Sequence, residues 1–245
     1  MRKLLLPVLL GLVCTSFTLI PSAPGSQLKT LPVLRSHTTE DSALSGNSEA
    51  SLIYDKTGLS ALGLTRQAFD YAWKGYQHLL NKNLLAHTRY LTICDMSQSS
   101  SRKRLYIIDA VNGRLITNTY VAHGKNSGGE FATKFSNTPE SLQSSLGFYI
   151  TRQTYTGEHG LSLRISGVEP GFNDNAMARS IVIHGAAYVD DARAKAGIFM
   201  GRSFGCPAVP QRESEKIIQT IKNGTCLFIY HPGGNYLAHS KILNG

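Results

Sequence analysis

The chain has 245 residues and a net charge of +9, with 42% hydrophobic and 17% charged residues. That balance is ordinary for globular protein and leaves room for a sizeable core, in one domain or two small ones. Despite the basic charge, no Lys/Arg-dense run with interleaved aromatics occurs, which argues against nucleic acid as a partner.

The N-terminus reads as a targeting signal. Arg2 and Lys3 precede an apolar run over 4–13, and small residues follow around Pro21-Ser22-Ala23. We therefore expect a signal peptide over 1–23, cleaved between about Ala23 and Ser26. The run is too short to span a bilayer, so no stable membrane span is expected after cleavage. Val13 stands before Cys14 where lipidation would want a small residue, so that cysteine is not read as an anchor. The expected location is outside the cytoplasm, in the periplasm or cell envelope. Loss of Arg2 and Lys3 lowers the charge to +7, which either favours contact with anionic wall or membrane material or serves plain solubility.

Residues 24–60 are rich in Ser, Thr, Gly and Pro with little periodicity, and are expected to form a flexible linker or wrapping arm. A helical segment is expected within 61–87. Thr65 is its N-cap, and Ala68, Ala72, Tyr76 and Leu79 recur at helical spacing. From 88 to 232 the pattern becomes that of strands, at 90–94, 104–108, 115–122, 146–150, 161–165, 180–183 and 226–230. Asn112-Gly113 predicts a hairpin turn. A helix is predicted over 211–222, with Ile217, Ile218 and Ile221 on one face and Gly224 past its end. Residues 233–245 form a tail. The fold class is mainly β with flanking helices, a mostly antiparallel sandwich or barrel. There is no internal repeat, no βαβ alternation and no Walker-type loop. No feature sets an oligomeric state.

After the leader three cysteines remain: Cys94, Cys206 and Cys226. An odd number implies an unpaired thiol. Cys94 and Cys226 lie in strand-like runs and either pair or stay as buried inert thiols.

The most informative stretch starts at Ile181-Val182-Ile183-His184-Gly185 and ends at Gly201-Arg202-Ser203-Phe204-Gly205-Cys206-Pro207. A histidine ending a buried strand is held by rigid backbone, and Gly185 leaves room for a ligand or loop to approach. Cys206 follows a tight turn at Gly205. An unperturbed thiol is mostly protonated at neutral pH, with a pKa of about 8.5. A neighbouring histidine can take that proton, and the Gly205 and Cys206 amides are candidate oxyanion donors. A backbone carbonyl would serve to orient the second imidazole nitrogen. Taken alone, the pair reads more readily as a buried thiol beside a core histidine.

These blocks resemble the murein L,D-transpeptidase catalytic-domain family, the YkuD-type enzymes, whose motif is a strand-borne His-Gly followed by Ser-x-Gly-Cys. The resemblance extends to Ile183-His184-Gly185-Ala186, to His123-Gly124-Lys125, to Ser144-Ser145-Leu146-Gly147-Phe148-Tyr149, to His159-Gly160-Leu161 and to Asn173-Asp174-Asn175-Ala176. It covers roughly 88–231. It implies a β-rich catalytic domain that attacks peptidoglycan stem peptides through a Cys206 thioester, with His184 as general base and Ser203, Gly205 and Gly185 shaping the site. The acyl group would pass to an amine or to water. The chain departs from the family's familiar form at Phe204, where a histidine is common, and at Ala208, where an arginine is common. Arg202 or Arg179 are the candidate replacements for that arginine.

His123 and His159 either line the cleft and bind substrate or are structural. Ser127-Gly128-Gly129 is either a lid or an exposed turn. No HExxH or paired-cysteine spacing occurs, so neither metal nor cofactor is expected. Two alternatives accompany acyl transfer: a hydrolase of the same stems (L,D-carboxypeptidase, peptidase or amidase), and a non-catalytic cell-wall-binding protein. A papain-like protease fits less well, because there the cysteine precedes the histidine in sequence.

Overall fold

The structure, a computed structural model, describes residues 49–245. The leader over 1–23 and most of the expected linker lie outside the described residues. The rest of that linker is not loose. Residues 49–56 are helical (α1), and Ile53, Tyr54 and Leu59 are buried. Polar neighbours conceal these three apolar residues in the composition, yet their burial ties the segment to the core.

Helix α2 (Arg66–Asn81) starts at the expected cap, where Thr65 Oγ1 accepts from the Ala68 N–H at 3.2 Å. Ala68, Phe69, Ala72, Trp73, Tyr76 and Leu79 form its buried face, at the i, i+3, i+4 spacing of an amphipathic helix. The approach to the sheet is close. A Cβ on Gly75 would lie 1.9 Å from Phe148 Cζ, and Phe148 in turn stacks on Phe228 at 4.1 Å.

Eight strands follow: β1 (Tyr90–Asp95), β2 (Leu105–Asp109), β3 (Arg114–Thr119), β4 (Gly147–Gly157), β5 (Gly160–Gly167), β6 (Val182–Ala186), β7 (Ala208–Pro210) and β8 (Cys226–Tyr230). They form one sheet in the order β3-β2-β1-β8-β4-β5-β6-β7. The predicted β2–β3 hairpin is present, with Gly113 at φ 58° in its turn. The expected mostly antiparallel pattern holds except at two pairs, β1–β8 and β6–β7, which are parallel. Strand β3 ends at Thr119, short of the expected 122. The chain then crosses to the opposite edge, where Ala122 bridges Ala208 and Gly124 bridges Ser203. One segment thus ties both edges of the sheet and gives it a nearly closed, barrel-like form.

Helix α3 (Asp191–Lys195) is capped by Asp190, whose side chain accepts from the Arg193 N–H. Helix α4 (Gln211–Ile221) connects β7 to β8 and buries Ser214, Ile217, Ile218 and Ile221. The expected tail instead docks as α5 (Gly234–His239) and α6 (Lys241–Asn244). Its anchor is Glu169, which accepts from the Phe148 N–H at 2.7 Å, the Tyr236 hydroxyl at 2.7 Å and the Ser240 hydroxyl. Cys94 and Cys226 are free and buried on neighbouring strands. Burial pushes the Cys94 thiol up to about 12. No helix among the described residues is long and apolar enough to cross a membrane.

Candidate active site

The β6–β7 register brings Cys206 and His184 to one cleft. His184 pairs with Ala208 in parallel, so Cys206, two residues earlier, comes level with Val182. Its Sγ accepts from the Val182 N–H at 3.5 Å and donates to the Ser180 carbonyl at 3.8 Å. Val182 and His184 are two apart on one strand and project to the same face, a step of roughly 6–7 Å. Both Cys206 and His184 line one open cleft of about 440 Å³. Among the described residues the sulfur's hydrogen-bond partners are these backbone groups and not the imidazole.

The loop ahead of Cys206 is braced from within. The Ser203 hydroxyl donates to the Cys206 carbonyl at 2.7 Å and accepts from the Gly205 N–H at 3.3 Å. Of the two candidate oxyanion donors, the Gly205 amide is therefore engaged, and the Cys206 amide is the better placed. Gly205 sits at φ 120°, and a Cβ there would meet the Gln143 carbonyl at 2.7 Å, so glycine is required. Backbone bonds from Ser203 N to His123 O and from Lys125 N to Ser203 O fix the loop from outside. Phe204, at the position where a histidine is common, is 67% exposed and lies under Lys125 Nζ at 4.6 Å.

His184 is 4% exposed. Its Nδ1 lies 2.9 Å from the Gly185 carbonyl. A carbonyl only accepts, so the proton is on Nδ1 and Nε2 is left as the basic nitrogen. Burial foremost, and the charge of His159, lower the His184 pKa; the Gly185 carbonyl opposes them. Burial raises the Cys206 pKa, while the Val182 N–H and the Arg179 guanidinium act against that. Burial thus favours the uncharged form of both the thiol and the imidazole.

Arg179 and Arg202 both line the cleft. Arg179 is the more fixed: its guanidinium donates to the carbonyls of Ser136 (2.8 Å) and Gln143 (2.6 Å) and to the hydroxyls of Ser141 (3.1 Å) and Ser145. No carboxylate is among those acceptors, so the positive charge stays available to the cleft. Arg202 is exposed. Gly185 borders a second open cavity, which it shares with His159 and His184. A Cβ there would lie 2.7 Å from Ser214 Oγ and 2.8 Å from Gln211 Oε1, so it serves the seating of α4 on β6.

The two further histidines separate. His159 is at the cleft, with its ring on that of His184. His123 is fully buried and does not line it. Arg104, also fully buried, donates to His123 Nδ1 at 2.7 Å. His123 Nε2 faces the Gly128 carbonyl at 3.4 Å. Burial and the Arg104 charge lower His123 to about 4, so it stays neutral and structural. It also holds the Ser127-Gly128-Gly129 turn. Ser127 is buried, its hydroxyl accepts from the Ser144 N–H, and its carbonyl accepts from the Thr133 and Lys134 N–H groups. The turn is pinned and does not line the cleft, which removes the lid reading.

Sequence reasoning missed Tyr188 and Glu158, which also line the cleft. Burial, then the proximity of Cys206, push the Tyr188 hydroxyl up to about 12, so it is a neutral donor. Its one sequence signal is its place four residues after His184 on the turn leaving β6.

A β domain whose open cleft holds a backbone-oriented imidazole, a thiol and a fixed guanidinium has the parts of a cysteine-nucleophile acyl-transfer enzyme. The chain belongs to the L,D-transpeptidase catalytic domain family, whose model matches residues 60–230. That match begins before the strands, so α2 is part of the family's domain. No curated protein matches the chain. Among solved structures it is similar to an L,D-transpeptidase from Mycobacterium smegmatis (11% identity, TM-score 0.36, covering 58% of this chain and 59% of that one). It is also similar to a fused Zn-dependent amidase/peptidase/peptidoglycan-binding domain-containing protein from Clostridium acetobutylicum (17%, 0.36, 63% and 61%). A third is an L,D-transpeptidase from Xylanimonas cellulosilytica (14%, 0.34, 69% and 81%). The chain spans about three fifths of the length of the first of these.

Proposed function

We propose that the chain transfers peptidoglycan stem peptides through a thioester on Cys206, with His184 as general base. What supports this is the convergence of Cys206, His184 and Arg179 on one open cleft, with Nε2 of His184 left basic. As the Cys206 sulfur attacks the stem carbonyl at the L-centre to D-residue bond, its proton passes to Nε2. The Cys206 N–H, with the neutral Tyr188 hydroxyl, offers donors to the oxyanion. Collapse returns the proton to the departing D-residue amine and leaves the thioester. An acceptor amine, losing its proton to His184, then displaces the sulfur. Arg179 supplies the cation that a stem carboxylate would meet, in place of the arginine replaced by Ala208. We further propose that this takes place in the cell envelope, a reading supported by the leader-like pattern of residues 2–23.

The test is mass spectrometry of isolated peptidoglycan treated with the wild-type protein or with Cys206→Ala. New cross-linked stems from the wild type alone are expected. Trimmed stems without cross-links would move the assignment to a hydrolase. Unchanged wall material would leave a wall-binding protein.

A further inference from the structure

We propose that His159 is a positioning residue for His184. From the tip of the β4–β5 hairpin its ring lies flat on the catalytic imidazole, sets the plane of that ring and screens it from water. The two centroids are 4.2 Å apart with the planes 21° from parallel. Among the described residues the His184 side chain makes one hydrogen bond, from Nδ1 to the carbonyl of the next residue. One bond on one edge leaves the ring plane free to rock, and a flat partner removes that freedom.

The screening follows from the surroundings. His184 borders two open cavities, of about 440 and 450 Å³, yet is 4% exposed. His159 borders both cavities as well and is itself exposed, so it takes the solvent contact on one face of its neighbour. The hairpin is built to hold it there. Gly157 pairs with Gly160 to close a two-residue turn of Glu158 and His159. A register shift between Thr151 and Thr154 redirects β4, as bulges do. Arg164 over the Tyr155 ring at 4.5 Å stiffens the projecting end.

The chemistry gains in two ways. A base aimed within a narrow range meets the thiol proton more often. A screened imidazole, facing a second imidazole whose charge opposes its own, stays neutral to lower pH. Other groups around the pair are Glu158 on the same turn, Tyr155 on β4, Tyr188 after β6, Arg179 before β6, and Arg202 and Cys206 on the nucleophile loop.

The kinetic consequences rest on the acyl-transfer reading, whereas the stack does not. His159→Ala and His159→Phe are therefore compared with wild type by NMR titration of His184 and by turnover of tetrapeptide stems. His159→Ala is expected to raise the His184 midpoint and lower kcat about tenfold with KM nearly unchanged. His159→Phe restores the flat face and should recover most of kcat, with a midpoint between the other two. An unaltered His184 titration in His159→Ala overturns the proposal. So does an equal rise of KM in both variants, which would make His159 a substrate contact only. If wild type turns over no stem, the acyl-transfer reading fails, and the titration still decides the stack.

Discussion

On the proposed mechanism, two protonation states shape the activity. His184 is basic only when neutral, and burial sets its pKa below the ordinary imidazole value of about 6.5. Cys206 is raised above the ordinary thiol range. The acid limb of kcat/KM should therefore lie below pH 6.5 and the alkaline limb above about 8.5, with a plateau between. Alkylation of Cys206 by iodoacetamide should rise across neutral pH. A rate already saturated near pH 5 would indicate a thiolate–imidazolium pair and refute the neutral one. Replacing His184 with Gln should slow stem turnover about 10²–10⁴-fold. Gly205→Ala should cost about 1–3 kcal/mol from its positive φ alone, read as a lower denaturation midpoint. An unchanged midpoint would contradict the geometry at the Gln143 carbonyl. His184 and Cys206 were legible because a strand-borne His-Gly and a Ser-x-Gly-Cys turn are local patterns. Arg179 had already been singled out, though its grip on the 136–145 loop could not be read from spacing. His123 was ambiguous because a His-Gly pair looks alike at a cleft and in a core. Its partner Arg104, from a strand that reads as plain β, decides the matter.

At the scale of elements, Gly75 shows two local effects in opposition. Alanine would favour helix α2 by about 1 kcal/mol over glycine. Its Cβ, however, would stand 1.9 Å from a Phe148 ring that is itself stacked on Phe228, and overpacking of that kind costs about 1–3 kcal/mol or more. Gly75→Ala should thus lower Tm in calorimetry, and a Tm equal to or above wild type would mean that α2 can back away from β4. Helices α2 and α4 were legible to within a residue or two, since their apolar faces repeat at 3.6 and Thr65 caps the first. The Asn112-Gly113 hairpin was equally plain. The parallel β1–β8 pair was not, because residues 91–95 and 226–230 carry no mark of each other. The same holds for the crossing at 120–124, where β-forming residues continue past the point at which the chain leaves its strand.

For the whole molecule, Glu169 fastens the C-terminal helices to the strand layer. Burial raises its pKa over the opposing pull of Ser240, Phe148 and Tyr236. The folded state consequently holds that proton more tightly than the unfolded chain. The group's contribution is complete below the ordinary carboxyl value of about 4.3 and declines as pH rises through the elevated one. Glu169→Gln should flatten that part of the stability–pH curve, and an identical slope in the two proteins would dismiss the assignment. Glu169→Ala strands three donors and should lower stability by about 3 kcal/mol in urea titrations. The tail composition gave little sign of this docking, since Tyr236, Ile242 and Leu243 are spread over two short helices.

The crossing at Ala122 and Gly124 bears on when reactivity arises. Residues some eighty positions apart must meet before Ser203 and Ala208 find their partners, and contacts so distant along the chain form slowly. Until they do, nothing holds the sulfur level with Val182. A nascent or half-unfolded chain therefore carries only a common thiol, and on the proposed mechanism nucleophilic power arrives together with the finished barrel.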